Sequence, residues 1–283
     1  RGKPLSALAI QNEFLRTSCS ASGVARIADL MRIENFKSRM ANRDMMAGTF
    51  LKTPAYELVE VLATSQLDFI CIDMEHSPFD RARTDACLAL ARALDFPVLV
   101  RVTHFAPQTV WQVLDMVAVG VVAPHIITAE QAKDLVRAAH FGPGGRGFAG
   151  ATRWAGYGTQ NMAEVLAQSA RQTVVIAQIE EPEALENVEQ IAATPGVDGL
   201  FLGPSDMSVS MGYSDTNSEQ LRAALARCGA AAEMSGKAYM TFVPNAAKAA
   251  DWAQFGAHMF FVGSEQGWMK SGANADAAGI HAL

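Results

Sequence analysis

The sequence has little of what marks a secreted, membrane-spanning or nucleic-acid-binding protein. Its four cysteines, Cys19, Cys71, Cys87 and Cys228, show neither C-x-x-C spacing nor a disulfide framework, so we expect the reduced thiols of a cytoplasmic protein. No apolar run approaches the roughly 20 residues that cross a bilayer. The net charge of -6, without a basic stripe, argues against a nucleic-acid partner. The 283 residues, 50% hydrophobic and 18% charged, instead suit a large buried core in water.

The amino-terminal segment lacks a strong hydrophobic period, and the chain begins with Arg1 rather than methionine. We interpret residues 1–34 as an N-terminal extension that is non-native or flexible, with a native start at Met31. A transit peptide is the alternative, because the stretch is rich in Ser and Arg and poor in acids. The remaining residues, 35–283, would form one domain.

From Met46 onward, short apolar runs alternate with amphipathic stretches. Because the runs are continuously hydrophobic, they are typical of parallel strands covered on both faces. The runs occupy residues 46–50, 67–73, 96–102, 119–125, 173–180, 197–203, 237–243 and 258–263. Eight strands with intervening helices predict the α/β class and a single-domain (β/α)8 TIM barrel. A doubly wound sheet is the alternative, but no G-x-G-x-x-G follows the first strand.

One long connection interrupts the alternation of strands and helices. Residues 141–159 contain seven glycines together with Arg146, Arg153, Trp154 and Tyr157. Loops of this length in compact domains are usually functional or disordered. Because the segment follows the fourth strand, we expect it to lie over the C-terminal face of the barrel, where active sites gather.

Polar residues stand where the apolar runs end. Burying such groups costs several kcal/mol each unless they are paired or bind a ligand. Since the carboxyl ends of the strands converge on one face of a barrel, we expect these side chains to line one site. They are Asp73, Glu75, His76, Arg101, His125, Gln178, Glu180 and Asp206.

Glu180 and Asp206 are the candidate metal ligands. Two carboxylates brought close together raise one another's pKa, and a bound divalent cation removes that conflict. No cysteine or paired-histidine spacing accompanies them, so an all-oxygen site favours Mg²⁺ or Mn²⁺ over structural Zn²⁺. A 2-oxo acid could then chelate the ion, which would polarise the keto group. Alternatively, Glu180 caps a helix and Asp206 belongs to a turn.

His76 and Arg101 are the candidate groups for proton transfer and charge stabilisation. The ordinary pKa of histidine suits proton transfer near pH 7, and Asp115 or Asp73 could orient the ring. Arg101 ends an apolar strand, so its charge needs an anionic partner, either a substrate oxygen or a carboxylate. A structural histidine and a plain salt bridge are the respective alternatives.

The turn Gly203-Pro204-Ser205-Asp206 precedes a short helical turn and leaves backbone N–H groups free to receive a carboxylate or phosphate. His125 also follows a strand end and is a candidate substrate contact.

Taken together, the segments 48–54, 68–80, 97–102, 177–187 and 197–213 resemble the HpcH/HpaI aldolase family of metal-dependent class II pyruvate aldolases. The resemblance implies a barrel of the phosphoenolpyruvate/pyruvate type, assembled as a trimer or hexamer with an exchanged C-terminal helix. It also implies reversible cleavage of a 4-hydroxy-2-oxo acid to pyruvate and an aldehyde, with oxaloacetate decarboxylation as a side reaction. The cofactor would be Mg²⁺, Mn²⁺ or Co²⁺.

Carried over to this sequence, the resemblance implies that Glu180 and Asp206 bind the metal ion. His76 would be the catalytic histidine, working through water and paired with Asp115. Arg101 would stabilise the oxygen of the pyruvate enolate.

The resemblance further implies that Gln178 lines the pocket and that the amides of Ser205 and Asp206 cradle the pyruvate carboxylate. Two departures concern the far end of the substrate. His125 stands where several aldolases have methionine and resembles macrophomate synthase, and the segment 141–159 carries unusual bulky residues.

Other functions remain open at this point. One is a macrophomate-synthase-like reaction, and a second is an acyl-CoA lyase related to citrate lyase β-subunits, which would need a basic groove for the CoA phosphates. A third, from another class, is a non-catalytic barrel that binds a metabolite or serves as an oligomeric scaffold.

Overall fold

Eight parallel strands close into a barrel in which each strand pairs with its neighbours in the sequence. The computed structural model describes residues 31–283, so the predictions for the preceding residues, Cys19 included, lie outside the described part of the chain. The strands are β1 Met46–Leu51, β2 Phe69–Asp73, β3 Val98–Arg101, β4 Gly120–Ala123, β5 Val174–Ile179, β6 Gly199–Leu202, β7 Ala238–Val243 and β8 Met259–Ser264. Every predicted run overlaps one strand, and the (β/α)8 barrel is confirmed.

Helices alternate with the strands along the chain. They are α1 Arg32–Ala41, α2 Tyr56–Ala63, α3 Arg81–Ala93, α4 Pro107–Asp115, α5 Ala129–Ala139, α6 Met162–Gln172, α7 Pro182–Glu186, α8 Val188–Ala192, α9 Pro204–Ser210, α10 Glu219–Met234, α11 Ala246–Ala253 and α12 Glu265–His281. Local sequence sets several helix starts. Asp80 caps α3, Thr128 and Gln131 form a capping box on α5, and α4, α7 and α9 begin with proline.

The apolar residues form one layer inside the barrel and another between the strands and the outer helices. The inner layer is rich in aromatic rings, and Phe50 stacks on Phe261 with ring centres 4.3 Å apart. The helix α1 closes the amino-terminal end of the barrel, where Phe36 contacts Phe69 at 5.4 Å. Ile33 of α1 is also buried. The predicted domain boundary between residues 34 and 35 therefore falls inside a helix that belongs to the barrel.

The segment 141–159 does not lie where the sequence reading placed it. It follows α5, which returns the chain from the C-terminal face to the amino-terminal face. Arg146 accordingly binds Asp115 at the end of α4, with Nη2 and Oδ1 2.6 Å apart. Trp154 is buried near the end of α3, 5.8 Å from the guanidinium carbon of Arg92. The segment therefore packs on the outer helices instead of covering the C-terminal face.

The last helix, α12, is exposed from residue 266 to the end of the chain. Its apolar side chains include Trp268, Met269 and Ile280, which are 40%, 52% and 67% exposed. A helix that packed back on its own barrel would bury such residues. Within residues 31–283, none of the helices is long and apolar enough to cross a membrane.

Candidate active site

Asp73 and Arg101 end neighbouring strands and form a buried, two-pronged ion pair at the C-terminal face. Arg101 Nε and Nη2 lie 3.0 and 2.8 Å from the two carboxylate oxygens of Asp73. The register of β2 on β3 places the two residues side by side. The guanidinium also lies over the ring of Phe50, 4.6 Å from its centre. Arg101 is therefore fixed by charge on one side and by an aromatic surface on another.

Asp73 also organises the loop that follows it. Its Oδ1 accepts the backbone N–H groups of Glu75 and His76 at 3.2 and 3.1 Å. Lys52 Nζ, from the turn after β1, lies 3.4 Å from its Oδ2. Burial alone would raise the pKa of Asp73, but Arg101, the N–H of His76 and the charge of Lys52 lower it below the usual value. The carboxylate is thus ionised and held by partners from three loops.

Glu75 lies between the side chains of Arg101, His76 and His125. Its Oε2 is 3.2 Å from Arg101 Nη1 and 3.8 Å from His76 Nε2, and its Oε1 is 3.5 Å from His125 Nε2. Burial raises the pKa of Glu75, although the charge of Arg101 opposes this. The ring of His76 is 56% exposed at the rim of the site, so water can reach it.

Glu180, Gln178 and Asp206 meet around Gly203, which begins the turn after β6. A Cβ atom on Gly203 would lie 3.3 Å from Asp206 Oδ2, 3.4 Å from Gln178 Nε2 and 3.5 Å from Glu180 Cβ. Gln178 donates a hydrogen bond to Glu180 Oε2. The small residue therefore leaves room for both side chains beside the turn. The assignment of Glu180 and Asp206 as metal ligands stays a prediction.

His125 bridges the two halves of the site. Its Nδ1 lies 3.1 Å from Glu180 Oε1 and also contacts Glu181, and its backbone N–H donates to Glu180 Oε1 at 2.9 Å. Its backbone adopts a positive φ of 57°, which is rare outside glycine and is held here by these contacts. Burial would lower the pKa of His125, but the hydrogen bond to Glu181 and the nearby carboxylates raise it. The histidine therefore lies within the carboxylate cluster.

Burial and the charges of neighbouring carboxylates act together on Glu180. Burial, together with the charges of Asp206 and Glu75, raises the pKa of Glu180 to about 7, although His125 opposes this. Such a cluster is typical of a functional site.

The donor set fits a hard divalent cation. Glu75, His125 and Glu180 each offer a ligand atom, and the three atoms lie within 4.8 Å of one another. Asp206 is outside that trio but reaches the same carboxylate cluster through Gly203. Among the described residues, the buried Gln178 Oε1 has no hydrogen-bond partner. A divalent cation bound here would relieve the repulsion between the acids.

The turn predicted as a carboxylate cradle begins helix α9. Gly203 is its N-cap and Pro204 its first residue, so the N–H groups of Ser205 and Asp206 lie in the first turn, where helical hydrogen bonds are missing. Ser205 and Asp206 are exposed toward solvent, as a binding surface requires.

The structure does not bring Asp115 to His76 within the chain. Asp115 is the ninth and last residue of α4, and its side chain binds Arg146 Nε and Nη2 at 3.2 and 2.6 Å. The helix length carries it to the other end of the barrel. Within the described chain the acidic neighbour of the His76 ring is Glu75, and the pairing of His76 with Asp115 stays a prediction.

Three residues at the site were missed or given no role by the sequence reading. Lys52 lies in the segment 48–54 but was given no role, and Glu181 follows a stronger candidate directly. Glu75 was expected among the polar side chains that line the site but was given no role there. Only the D-x-E-H spacing signalled Glu75, since it puts three polar residues at the end of one strand.

Comparisons with known proteins agree with this architecture. The family model described as HpcH/HpaI aldolase/citrate lyase matches residues 46–271. A hydroxypyruvate/pyruvate aldolase of Paraburkholderia phytofirmans is 35% identical over 241 residues, which is 82% of this chain and 92% of that protein. A 5-keto-4-deoxy-D-glucarate aldolase of Klebsiella pneumoniae subsp. pneumoniae is 30% identical over 238 residues, 83% of this chain and 92% of that protein.

The solved structures show the same likeness. An HpcH/HpaI aldolase/citrate lyase family protein from Burkholderia cenocepacia J2315 superposes with a TM-score of 0.82 at 31% identity, covering 88% of this chain and 99% of that chain.

Fold, site and relatives together define a barrel enzyme that acts on carbon–carbon bonds, a lyase of the aldolase class. The chain belongs to the HpcH/HpaI aldolase/citrate lyase family, whose model matches well over half of its length. The resemblance noted in the sequence is confirmed, and with it the metal dependence of the family. Relatives named as aldolases do not favour the macrophomate-synthase-like, acyl-CoA or non-catalytic alternatives.

Proposed function

We propose that this enzyme reversibly cleaves 4-hydroxy-2-oxo acids to pyruvate and an aldehyde, with Mg²⁺, Mn²⁺ or Co²⁺ held by Glu180 and Asp206. The observation that carries the proposal is that the side chains of Asp206 and Glu180 both lie against Gly203, where the charge of Asp206 acts on Glu180. His125 links them to the cluster of Glu75 and Arg101. The names of the aldolase relatives support a pyruvate-forming reaction.

Glu180 and Asp206 would hold the cation, which would supply Lewis acidity toward the keto group of a 2-oxo acid. When the bond between C3 and C4 breaks, negative charge develops on the keto oxygen. Arg101 provides N–H donors for that charge, and its pairing with Asp73 and its contact with Phe50 fix it before the reaction. Donors that need no reorganisation are the most effective for this task.

His76 is the group that we propose moves protons, through water. Cleavage requires loss of the proton from the 4-hydroxyl group and later addition of a proton at C3, so one group can serve both steps. The ring of His76 is exposed at the rim, 3.8 Å from Glu75, while Asp73 fixes its backbone.

Substrate binding would use the first turn of α9 and the neighbouring amide. The N–H groups of Ser205 and Asp206 are placed to receive the carboxylate of the 2-oxo acid. Gln178 supplies a further polar contact beside them, and Gly203 and Pro204 shape the turn. His125, between Glu75 and Glu180, is the proposed contact to the rest of the substrate.

A panel of 4-hydroxy-2-oxo acids tests the proposal. Pyruvate and the matching aldehyde should appear together with Mg²⁺, Mn²⁺ or Co²⁺, and oxaloacetate should be decarboxylated by the same preparation. Glu180→Gln and Asp206→Asn should abolish both activities, whereas the exposed control Glu183→Gln should not. Wild-type activity in the first two variants would refute the assigned ligands.

We also propose that the enzyme is a trimer or hexamer held together by α12. An apolar groove with a volume of about 380 Å³ lies beside β1, β8 and α11, on the outer wall where a helix after β8 would ordinarily pack. Its lining includes Met46, Ala249, Ala250, Ala253, Phe260 and Val262. The exposed apolar residues of α12 from a neighbouring copy would complement it.

Light scattering should show an oligomer, and Met269→Glu with Ile280→Asp should dissociate it. A monomeric wild type would contradict the proposal.

A further inference from the structure

Glu265 is a buried acid that accepts its hydrogen bonds from the turn after β1. It is the first residue of α12 and only 3% exposed. Its Oε1 accepts the backbone N–H groups of Lys52 and Thr53 at 3.0 and 2.7 Å. Among the described residues, its Oε2 has no hydrogen-bond partner and no salt bridge reaches the carboxylate. An unpaired buried carboxylate costs several kcal/mol, so these two hydrogen bonds are what stabilises the buried Glu265.

The loop that Glu265 holds carries a cation of the site. Lys52 follows β1 directly, and its Nζ lies 3.4 Å from Asp73 Oδ2. Asp73 in turn holds Arg101 through two hydrogen bonds. A short chain of contacts therefore runs from the start of α12 through Glu265 and Lys52 to Arg101.

The docking of α12 on this turn has a second contact. Gln266 Nε2 donates to Thr53 Oγ1 at 3.1 Å. Beneath the turn, Thr49 donates to the carbonyl of Val262 at 2.9 Å, which ties β1 to β8. The turn after β1 is thus fixed from the C-terminal helix.

We propose that Glu265 is a positioning residue for catalysis, which sets Lys52 against Asp73 and thereby fixes Arg101. The inference rests on the proposed function, because its effect is measured on that reaction. It also implies that the helix proposed to join neighbouring copies is tied directly to the active site.

Glu219 is a matched control on another helix. It is the first residue of α10 and follows the N-cap Ser218, as Glu265 follows the N-cap Ser264. Both acids interact with a helix N-terminus, but Glu219 is exposed. A loss of kcat shared by Glu265→Ala and Glu219→Ala would reflect only the interaction of an acid with the helix dipole.

The experiment measures kcat and KM for pyruvate release by the metal-loaded wild type and its variants. Glu265→Ala should lower kcat about 10- to 100-fold with KM changed less than about threefold, since small displacements of a catalytic group have effects of this size. Glu265→Gln keeps an acceptor oxygen and should retain kcat within about twofold. Glu219→Ala should match the wild type.

A double-mutant cycle separates positioning from general loss of stability. Lys52→Met should also lower kcat, and adding Glu265→Ala to it should lower kcat little further. The inference is overturned if the two effects multiply fully, if Lys52→Met has wild-type kcat, or if Glu265→Ala behaves as Glu219→Ala. If Glu265→Ala does not fold, the kcat values of Lys52→Met and Glu265→Gln still test the inference. Failure of the proposed function differs, because the wild type itself would then release no pyruvate.

Discussion

At the scale of single residues, the site contains one oppositely charged pair and one pair of like charges. Asp73 and Arg101 neutralise each other, whereas the charge of Asp206 raises the pKa of Glu180, and only His125 opposes it. The first pair is complete in the protein alone. For the second pair we propose that a bound cation supplies the counter-charge.

Glu180→Gln tests that distinction through stability. In metal-free protein near pH 8, the variant should be more stable than the wild type by about 1–3 kcal/mol, because it removes a buried charge whose pKa burial raises to about 7. Adding Mn²⁺ should stabilise the wild type and leave the variant unchanged. Thermal unfolding with and without Mn²⁺ measures both, with Glu183→Gln as the control. Equal stabilisation of Glu180→Gln by Mn²⁺ would contradict the assignment.

Arg101→Lys tests the fixed guanidinium. Lysine cannot make the two-pronged pair with Asp73, so kcat/KM should fall about 10²- to 10³-fold. Arg222→Lys is the control, because Arg222 makes a similar pair with Asp251 at the surface, with contacts of 3.1 and 3.3 Å. Steady-state kinetics of both variants decide the point, and an unimpaired Arg101→Lys enzyme would show that the guanidinium geometry is unimportant.

At the scale of elements, the strands were predictable because they are buried on both faces. Every apolar run became a strand, and the polar residue at its end reached the C-terminal face, as Arg101 and Glu180 illustrate. The position of Asp115 within the chain could not be predicted from the sequence, because the length of α4 and the contact with Arg146 decide where it lies. The position of segment 141–159 was misjudged because it depends on the direction of α5.

The role of Lys52 could not be read from the sequence at all. It depends on the hydrogen bonds by which Glu265, 213 residues away from Lys52, holds the turn after β1. No local period or motif encodes a contact between such distant elements. This part of the site follows only from barrel closure between β1 and β8.

The turn after β6 offers a test at the element scale. Gly203→Ala would place a Cβ 3.3 Å from Asp206 Oδ2 and 3.4 Å from Gln178 Nε2, which crowds the ligands without requiring a positive φ. Affinity for Mn²⁺, measured by calorimetry, should fall at least about tenfold. Gly147→Ala, where a Cβ meets nothing within 4 Å, should bind Mn²⁺ as the wild type does. Unchanged affinity in Gly203→Ala would mean that the turn does not shape the site.

At the scale of the whole molecule, two histidines far from the site should make the fold sensitive to acid. Burial lowers the pKa of His140, next to α5, and of His258, which precedes β8. Their folded pKa values lie below the unfolded value of about 6.5, so the unfolded chain takes up protons first. Their contribution to stability is therefore present above about pH 6.5 and is lost as the pH falls below it.

Urea unfolding at pH 7.5 and pH 5.5 measures this effect. The wild type should lose stability at the lower pH, and His140→Gln with His258→Gln should lose less between the two values. A double variant with the same pH dependence as the wild type would show that these histidines do not govern acid sensitivity.

The proposed function depends on one requirement, that a divalent cation at Glu180 and Asp206 activates the substrate. The most direct measurement is pyruvate release from a 4-hydroxy-2-oxo acid by enzyme stripped with EDTA, before and after Mn²⁺ is restored. We expect no pyruvate release without metal, recovery of release with Mn²⁺ in the wild type, and no recovery in Glu180→Gln combined with Asp206→Asn. Full activity in the stripped wild type, or recovery in the double variant, would contradict it.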